Sequence, residues 1–356
     1  MNRRNFSLLL ASATVSASFP AIAQPSQPRL LGAFTMGPPL DPTAGRGALL
    51  INGLRQRGFT LGQNLTYEPR GTGGKIDQLP KLVGELKAAG VDAIVTIGYP
   101  TAVAAKATGI PTVLASGAGD PVATGLIQSL SHPGGSVTGV SDDAALLSTK
   151  RLGLLKEAVP QFRRVAMLYN KDDAAMSLRF EAAAKAARDI GAIVQPLGVR
   201  EPNDFNDAFA AMNRETPDAI LMVSDSLTLL NRKRVIDFAA ERRIPAIYEA
   251  DTIARDGGLM SYGADDREMF DRVAALVARI FNGAKPTKLP VEQPTKYRFV
   301  VNLKTARAMN IEVPSKSRPA YRGSLQRRHD NCDETRRRNR WPLGRCWTYL
   351  VLLGPA

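Results

Sequence analysis

Residues 91–115 read VDAIVTIGYPTAVAAKATGIPTVLA, and this stretch decides the fold class. Residues 91–97 are largely apolar at successive positions, the pattern of a strand covered by helices on both faces. Residues 101–108 then read as a helix closed by Gly109, glycine being the usual residue just past a helix end. Residues 111–115 are a second apolar strand. Strand, helix and strand in so short a span make a βαβ unit of a parallel sheet.

The same grammar extends in both directions. Upstream lie a strand at 29–34, a helix from about 42 that stops at Gly58, a strand at 65–68 and a helix at 76–89 closed by Gly90. Downstream, a strand at 136–140 ends the first series and a second begins. A helix at 144–159 stops before Pro160, and strand–helix pairs follow at 165–169 with 174–190, 192–197 with 203–214, and 219–223 with 227–242. Strands at 244–248 and 259–262, a long helix at 268–281, a strand at 299–302 and a helix at 303–309 complete the order. Two similar α/β halves predict two lobes facing each other, and clefts between such lobes bind small molecules.

Composition narrows the chemistry. The chain has 356 residues, 44% hydrophobic, enough for two cores. Its net charge of +14 points to nucleic acid until it is divided along the chain. Residues 315–356 hold ten Lys/Arg against three Asp/Glu, and Arg3 and Arg4 add two more positive charges, so only +5 remains for 5–314. Both cysteines (Cys332, Cys346) and both tryptophans (Trp341, Trp347) also lie beyond 314. The main body therefore lacks a thiol nucleophile, a redox pair and a thiolate metal site. With His132 its only histidine, it also lacks the parts for a Ser-His-Asp triad or a multi-histidine metal site.

Residues 1–23 read as a signal peptide: Arg3-Arg4, an apolar stretch over 6–19, and Ala21-Ile22-Ala23 at the cleavage point. The twin arginines fit either folded export or the general secretory route, and no cysteine stands at the cleavage point to carry a lipid. A free periplasmic or secreted protein is expected.

In open parallel sheets ligands lie beyond the carboxyl ends of the strands. The residues there are polar and small: Thr35-Met36-Gly37, Tyr99-Pro100-Thr101 and Ser116 through Asp120-Pro121 in the first half. The second half supplies Asn170-Lys171-Asp172, Ser224-Asp225-Ser226, Tyr248-Glu249 and Ser261-Tyr262. The candidate ligand-binding residues are Thr35, Tyr99, Thr101, Ser116, Asp120, Asn170, Asp225, Tyr248 and Tyr262. Taken singly, Thr101, Asp120 and Ser226 also read as helix caps, and the three tyrosines as half-buried core residues. The set fits a ligand with a charged head and an apolar or aromatic body. Other apparent motifs fail: around Gly71-Thr72-Gly73-Gly74-Lys75, Pro69 and Ile76 stand where a phosphate-binding loop needs Gly and Ser/Thr. His132-Pro133-Gly134-Gly135 is turn chemistry, and Asp142-Asp143 and Asp265-Asp266 read as helix-start acids.

Five segments carry a family resemblance: 116–140 (SGAGDPVATGLIQSLSHPGGSVTGV), 150–160 (KRLGLLKEAVP), 244–249 (IPAIYE), 257–263 (GGLMSYG) and 289–310 (LPVEQPTKYRFVVNLKTARAMN). They resemble the periplasmic substrate-binding proteins of ABC importers, in the branch related to tryptophan-binding components, over about residues 29–314. His132 stands where Arg is common. The resemblance implies a type I periplasmic binding protein: two Rossmann-like lobes with parallel sheets joined by a three-crossover hinge. The expected division is 29–140 plus 251–285 for one lobe and 141–250 plus 286–314 for the other.

The resemblance further implies a ligand of the amino-acid class, hydrophobic or aromatic. Thr35, Thr101, Ser116 and Asp120 would serve from one lobe, and Asn170, Asp225 and Tyr248 from the other. Hinge closure, an ABC permease in the inner membrane as partner, a monomer, and neither cofactor, metal nor nucleic acid are expected. A periplasmic sensor of the same fold would differ only in presenting its ligand to a membrane receptor or kinase, a partner that lies outside this chain. An α/β enzyme such as a racemase lacks its two-cysteine or carboxylate–histidine parts in the main body. The arginine-rich residues 315–356 depart from the family ending and are expected to be an aberrant tail without fixed structure, arising from a frameshift or serving as a basic appendage. Residues 347–353 are too short to span a membrane.

Overall fold

The computed structural model describes residues 28–117, 119–141, 144–311 and 347–352. The first lobe begins with β1 (Arg29–Thr35), α1 (Gly45–Arg55), β2 (Leu65–Gly71), α2 (Leu79–Ala88), β3 (Ala93–Ile97), α3 (Tyr99–Thr108), β4 (Thr112–Ser116) and β5 (Val137–Gly139). Its strands lie in the order β2-β1-β3-β4-β5, all parallel. Leu31, Ala33, Ile94, Val95, Val113 and Leu114 are fully or almost fully buried, so both faces of the central strands are covered, as their continuous apolar runs require.

The second lobe follows with α4 (Ala144–Ala158), β6 (Arg164–Asn170), α5 (Ala174–Asp189), β7 (Ile193–Val199), α6 (Asp204–Arg214), β8 (Ala219–Met222), α7 (Ser226–Leu230), α8 (Arg232–Glu241), β9 (Ala246–Tyr248), α9 (Asp251–Arg255) and β10 (Met260–Ala264). The chain then returns to the first lobe as α10 (Asp266–Phe281) and crosses again to β11 (Tyr297–Asn302), α11 (Leu303–Ala308) and β12 (Trp347–Leu352). The second sheet has the order β12-β11-β10-β9-β8-β6-β7. Within it β7-β6-β8-β9-β10 repeats the order of the first sheet, and each order reverses direction at its second strand. Among the described residues only the β10–β11 pair is antiparallel. This is the type I periplasmic binding fold, two parallel α/β sheets in two lobes.

One helix shows how the pattern becomes packing. In α10, Met269, Phe270, Val273, Ala274, Val277, Ile280 and Phe281 recur at helical spacing and are all buried. The Asp265 side chain caps its start by accepting from the backbone N–H groups of Arg267 and Glu268 at 2.8 and 3.3 Å. The apolar face packs on Leu50 and Leu54 of α1 and on Val95 and Val113 of the first sheet. Each fully buried side chain of this size contributes about 1.5–3 kcal/mol. The helix expected over 227–242 is instead broken into α7 and α8 at Asn231, whose Nδ2 donates to the Leu227 carbonyl at 2.9 Å and satisfies a helix-end acceptor.

Two expected lobe boundaries shift. Residues 251–264, expected in the first lobe, belong to the second sheet: β10 pairs with β9 through Met260↔Ile247 and with β11 through Tyr262↔Phe299. The reason is burial, since Met260 and Tyr262 complete the same core as Met167 and Leu221. Residues 286–292, expected in the second lobe, stay with the first. Thr138 Oγ1 donates to the Leu289 carbonyl at 2.8 Å, and the Val291 and Glu292 N–H groups donate to Leu130 and Gly139 at 2.7 and 2.8 Å.

The three crossings between lobes run side by side. The Ser141 N–H donates to the Glu292 carbonyl at 2.9 Å, joining first and third, and the Asp265 N–H donates to Lys296 at 3.0 Å, joining second and third. The signal segment 1–23 and residues 315–346 and 353–356 lie outside the described residues. The tail expected to lack fixed structure nevertheless places residues 347–352 on the sheet edge, where β12 pairs with β11 along its full length.

Candidate functional site

A cavity of about 220 Å³ lies between the lobes, at the carboxyl ends of β1, β3 and β4 on one side and of β6, β8, β9 and β10 on the other. It sits where the strand order reverses in each sheet, the place at which doubly wound sheets bind ligands. Its two faces differ in chemistry.

The first-lobe face is small and apolar. Met36, Ile97, Pro100 and Met269 surround Ser116, Gly98 and Gly117. Gly98 begins α3 at φ 100° and Gly117 follows β4 at φ 77°, conformations that favour glycine. A Cβ on Gly98 would lie in ordinary van der Waals contact with Met36, Pro100 and Thr101 at 3.9 Å, and the Gly98 N–H donates to the Ser116 carbonyl at 2.9 Å. At one end Arg46 forms a two-pronged pair with Asp266, at 3.0 and 3.2 Å, and that carboxylate raises the guanidinium above its usual range.

The second-lobe face carries both signs of charge. Asn170, at the end of β6, donates from Nδ2 to Asp225 Oδ2 at 2.6 Å. Asp225 also caps α7 in a reciprocal box: its Oδ1 accepts from the Thr228 N–H at 2.9 Å, and Thr228 Oγ1 accepts from the Asp225 N–H at 2.9 Å. Asp173, 6% exposed, caps α5 through the Ala175 and Met176 N–H groups. Burial pushes its carboxyl up to about 6, the negative Asp225 adding to the rise, while those two N–H groups and Arg179 oppose it. Ser224 Oγ lines the same face, buried and without a protein partner.

Deeper in this face Glu249 joins two arginines. Its Oε1 accepts from Arg151 Nη1 and its Oε2 from Arg179 Nη1, both at 2.8 Å, with side chains 12%, 2% and 2% exposed. Arg151 Nε also donates to the Tyr262 carbonyl at 2.8 Å, which ties α4 to β10. Beside it, Asp251 is held by Arg255 at 3.1 Å and Arg298 at 2.9 Å.

Of the nine candidates, Ser116, Asn170 and Asp225 line the cavity. The other six lie elsewhere. Thr35 is buried and donates to the Pro38 carbonyl at 2.9 Å, and Thr101, wholly buried, donates to the Ile97 and Gly98 carbonyls at 2.9 and 3.0 Å. Both hydroxyls serve their own turns. Asp120 is exposed and accepts from the Val122 and Ala123 N–H groups, a cap rather than a lining group. Tyr99 is half-buried, its hydroxyl 3.4 Å from the Thr124 carbonyl. Tyr248 is wholly buried with its hydroxyl unpartnered, and burial raises that phenol far above its usual range. Tyr262 is buried and stacks on Tyr297 with ring centres 5.9 Å apart. Parallel strands end with successive residues pointing to opposite faces, so half of any strand-end set turns into the core.

Strand-end reasoning passes over Arg151 and Arg179 altogether. Their signal lies on the helices: Arg151 falls on the buried stripe of Leu147, Leu154 and Leu155, and Arg179 on that of Ala175, Ala183 and Ala186. A charge on a buried stripe demands a partner. Glu249 stands among the strand-end residues, but nothing local marks it as that partner. Among the described residues no group of three His, Cys, Asp or Glu side chains is placed to hold a metal ion. No helix among them is long and apolar enough to cross a membrane.

The sequence profile of the ABC transporter substrate binding proteins matches residues 38–317. A tyrosine-binding protein of Clostridioides difficile strain R20291 is 23% identical over 272 residues, 76% of this chain and 78% of that protein. The structure of a conserved domain protein from Vibrio cholerae O1 biovar El Tor superposes with a TM-score of 0.76 at 24% identity, covering 82% of this chain and 97% of the other. An ABC domain in complex with L-Trp from Streptococcus pneumonia gives 0.73 at 22% identity, with the same coverage. At such identities the superpositions speak for the fold alone.

Proposed function

The chain belongs to the ABC transporter substrate binding proteins, and from that premise we propose that it captures an amino acid with an apolar or aromatic body between its two lobes. The observation that carries this reading is the division of the cleft. A zwitterionic head needs groups of both signs, which the second-lobe face supplies with the carboxylates of Asp173 and Asp225 and the guanidinium of Arg200. An apolar body needs surface without charge, which Met36, Ile97, Pro100 and Met269 supply from the first lobe. That C. difficile and S. pneumonia relatives are described with tyrosine and L-Trp supports the same class.

The family is one of non-enzymatic binding proteins that work with membrane permeases and are typically extracellular or periplasmic. In our reading the ligand bridges the two faces and stabilises the closed arrangement of the lobes about the three side-by-side crossings, and that closed form is what the permease accepts. The protein acts as a monomer without nucleic acid, reaches the periplasm through the twin-arginine or general secretory route, and loses residues 1–23 on export. Ser116, Asn170 and Asp225 touch the ligand.

Thermal unfolding of the full chain against a panel of amino acids, sugars and dicarboxylates tests the reading, because a ligand that binds only the folded state raises the midpoint. Tyr, Trp, Phe or Leu is expected to raise it. A rise with sugars or dicarboxylates and none with any amino acid would overturn it.

A further inference from the structure

The Arg151–Glu249–Arg179 set is nearly buried and lines the ligand cleft. One carboxylate spans two guanidiniums, one oxygen to each at 2.8 Å. Guanidiniums are also the groups that take up carboxylate or phosphate from solution. Here the anion is supplied by the protein itself, from the turn between β9 and α9, and all three side chains line the ligand cleft. Arg151 keeps an independent hold through its Nε on the Tyr262 carbonyl at 2.8 Å. Its guanidinium therefore stays in place whatever occupies the position of Glu249.

We propose that Glu249 is a specificity-determining residue: its carboxylate fills the fork between Arg151 and Arg179 and so keeps anionic solutes out of a cleft that accepts zwitterions. The proposal rests on the amino-acid reading above for the word zwitterion, and on the geometry alone for the exclusion of anions. Arg200 also lines this face, but the carboxylates nearest the set act in the same direction as Glu249. Asp173, which caps α5, faces both Asp225 and Arg179, and Asp251 lies two residues beyond Glu249. A phosphate or dicarboxylate approaching the cleft meets these carboxylates and finds the fork occupied. An amino acid brings an ammonium group that the same carboxylates attract. The charge that admits the ligand and the charge that refuses anions are then one feature, with Glu249 at its centre.

Glu249→Gln keeps the size of the side chain and removes its charge. The full-length protein is titrated with inorganic phosphate by calorimetry at constant ionic strength, and its unfolding midpoint is followed in phosphate against matched chloride. The wild type is expected to show no phosphate binding beyond that of chloride, and Glu249→Gln to bind phosphate about tenfold or more tightly by comparison. Glu249→Asp, which restores the charge, returns the behaviour towards wild type. If loss of the buried partner weakens Glu249→Gln, phosphate raises its midpoint more than that of the wild type. A Glu249→Gln protein with neither phosphate binding nor a phosphate-specific rise, or a wild type that binds phosphate equally well, overturns the proposal. L-tyrosine titrated into the wild type reads the amino-acid assignment separately, since that can fail while the phosphate gain stands.

Discussion

The two lobes share one strand order, yet they present opposite chemistry to the cleft between them. At the ends of β1, β3 and β4 the chain places Met36, Gly98, Ser116 and Gly117; at the ends of β6, β8 and β9 it places Asn170, Asp225 and Glu249. Fold and recognition are therefore separable within one molecule. The repeated topology decides where a ligand lies, because the strand order reverses at the same place twice. The residues at those strand ends decide what the ligand is. Here the first lobe contributes shape and the second contributes charge.

Substitutions on each face probe this contrast. Arg151→Met should cost the most, because it removes one of the two arginine partners of the buried Glu249 carboxylate and a donor to the Tyr262 carbonyl. A loss of about 3–5 kcal/mol in unfolding free energy is expected, measured by denaturant titration. A loss as small as that of an exposed pair would show that the buried second-lobe set does not hold α4 to β10. Next, Asp225→Ala removes an acceptor from the charged face and should weaken amino-acid binding about 10- to 100-fold. Ser116→Ala on the opposite face should cost about tenfold or less. Calorimetry that finds the two losses equal would erase the division between faces.

Asp173→Asn tests the charged face through pH. The folded-state pKa, about 6, lies above the ordinary 3.8, so between those values the folded protein binds more protons than the unfolded chain. This group therefore makes the protein less stable as pH rises from about 4 to beyond 6, by on the order of 2–3 kcal/mol. Asparagine keeps the helix cap and cannot ionise. The variant should gain on the wild type as pH rises from 4 to 7, and parallel stability curves would show that Asp173 is ordinary. The least change belongs to Arg46→Ala in the first lobe, whose pair with Asp266 is about one-third exposed on each side. About 0–1 kcal/mol is expected, diminishing with salt. A larger, salt-insensitive cost would mean that the first-lobe face also depends on charge.

Much of the molecule is legible in the chain of residues. The stretch 91–115 becomes β3, α3 and β4, and most strands and helices fall where apolar periodicity places them. The departures have physical causes. Residues 259–262 are expected in the first lobe but pair in the second sheet, because an apolar strand carries no mark of which sheet will pair with it. Asn231 breaks a helix that periodicity alone would continue. Thr35, Thr101 and Tyr248 read as ligand candidates because they stand at strand ends, whereas their side chains serve buried turns and the core. The tail composition points away from structure, whereas edge pairing depends on backbone groups that every residue carries and accepts 347–352 beside β11.

The alternation of strand and helix, the doubling of that pattern and the polar strand ends are settled by the sequence, because they follow from local periodicity and from caps within a few residues of each other. Tertiary packing alone settles which strand ends meet, where the chain crosses between lobes, and that Glu249 lies between Arg151 and Arg179. Those partners are separated by 98 and 70 residues. No local rule connects them: the buried cost of each charge requires some partner, and the packing of α4 and α5 against the second sheet selects which one.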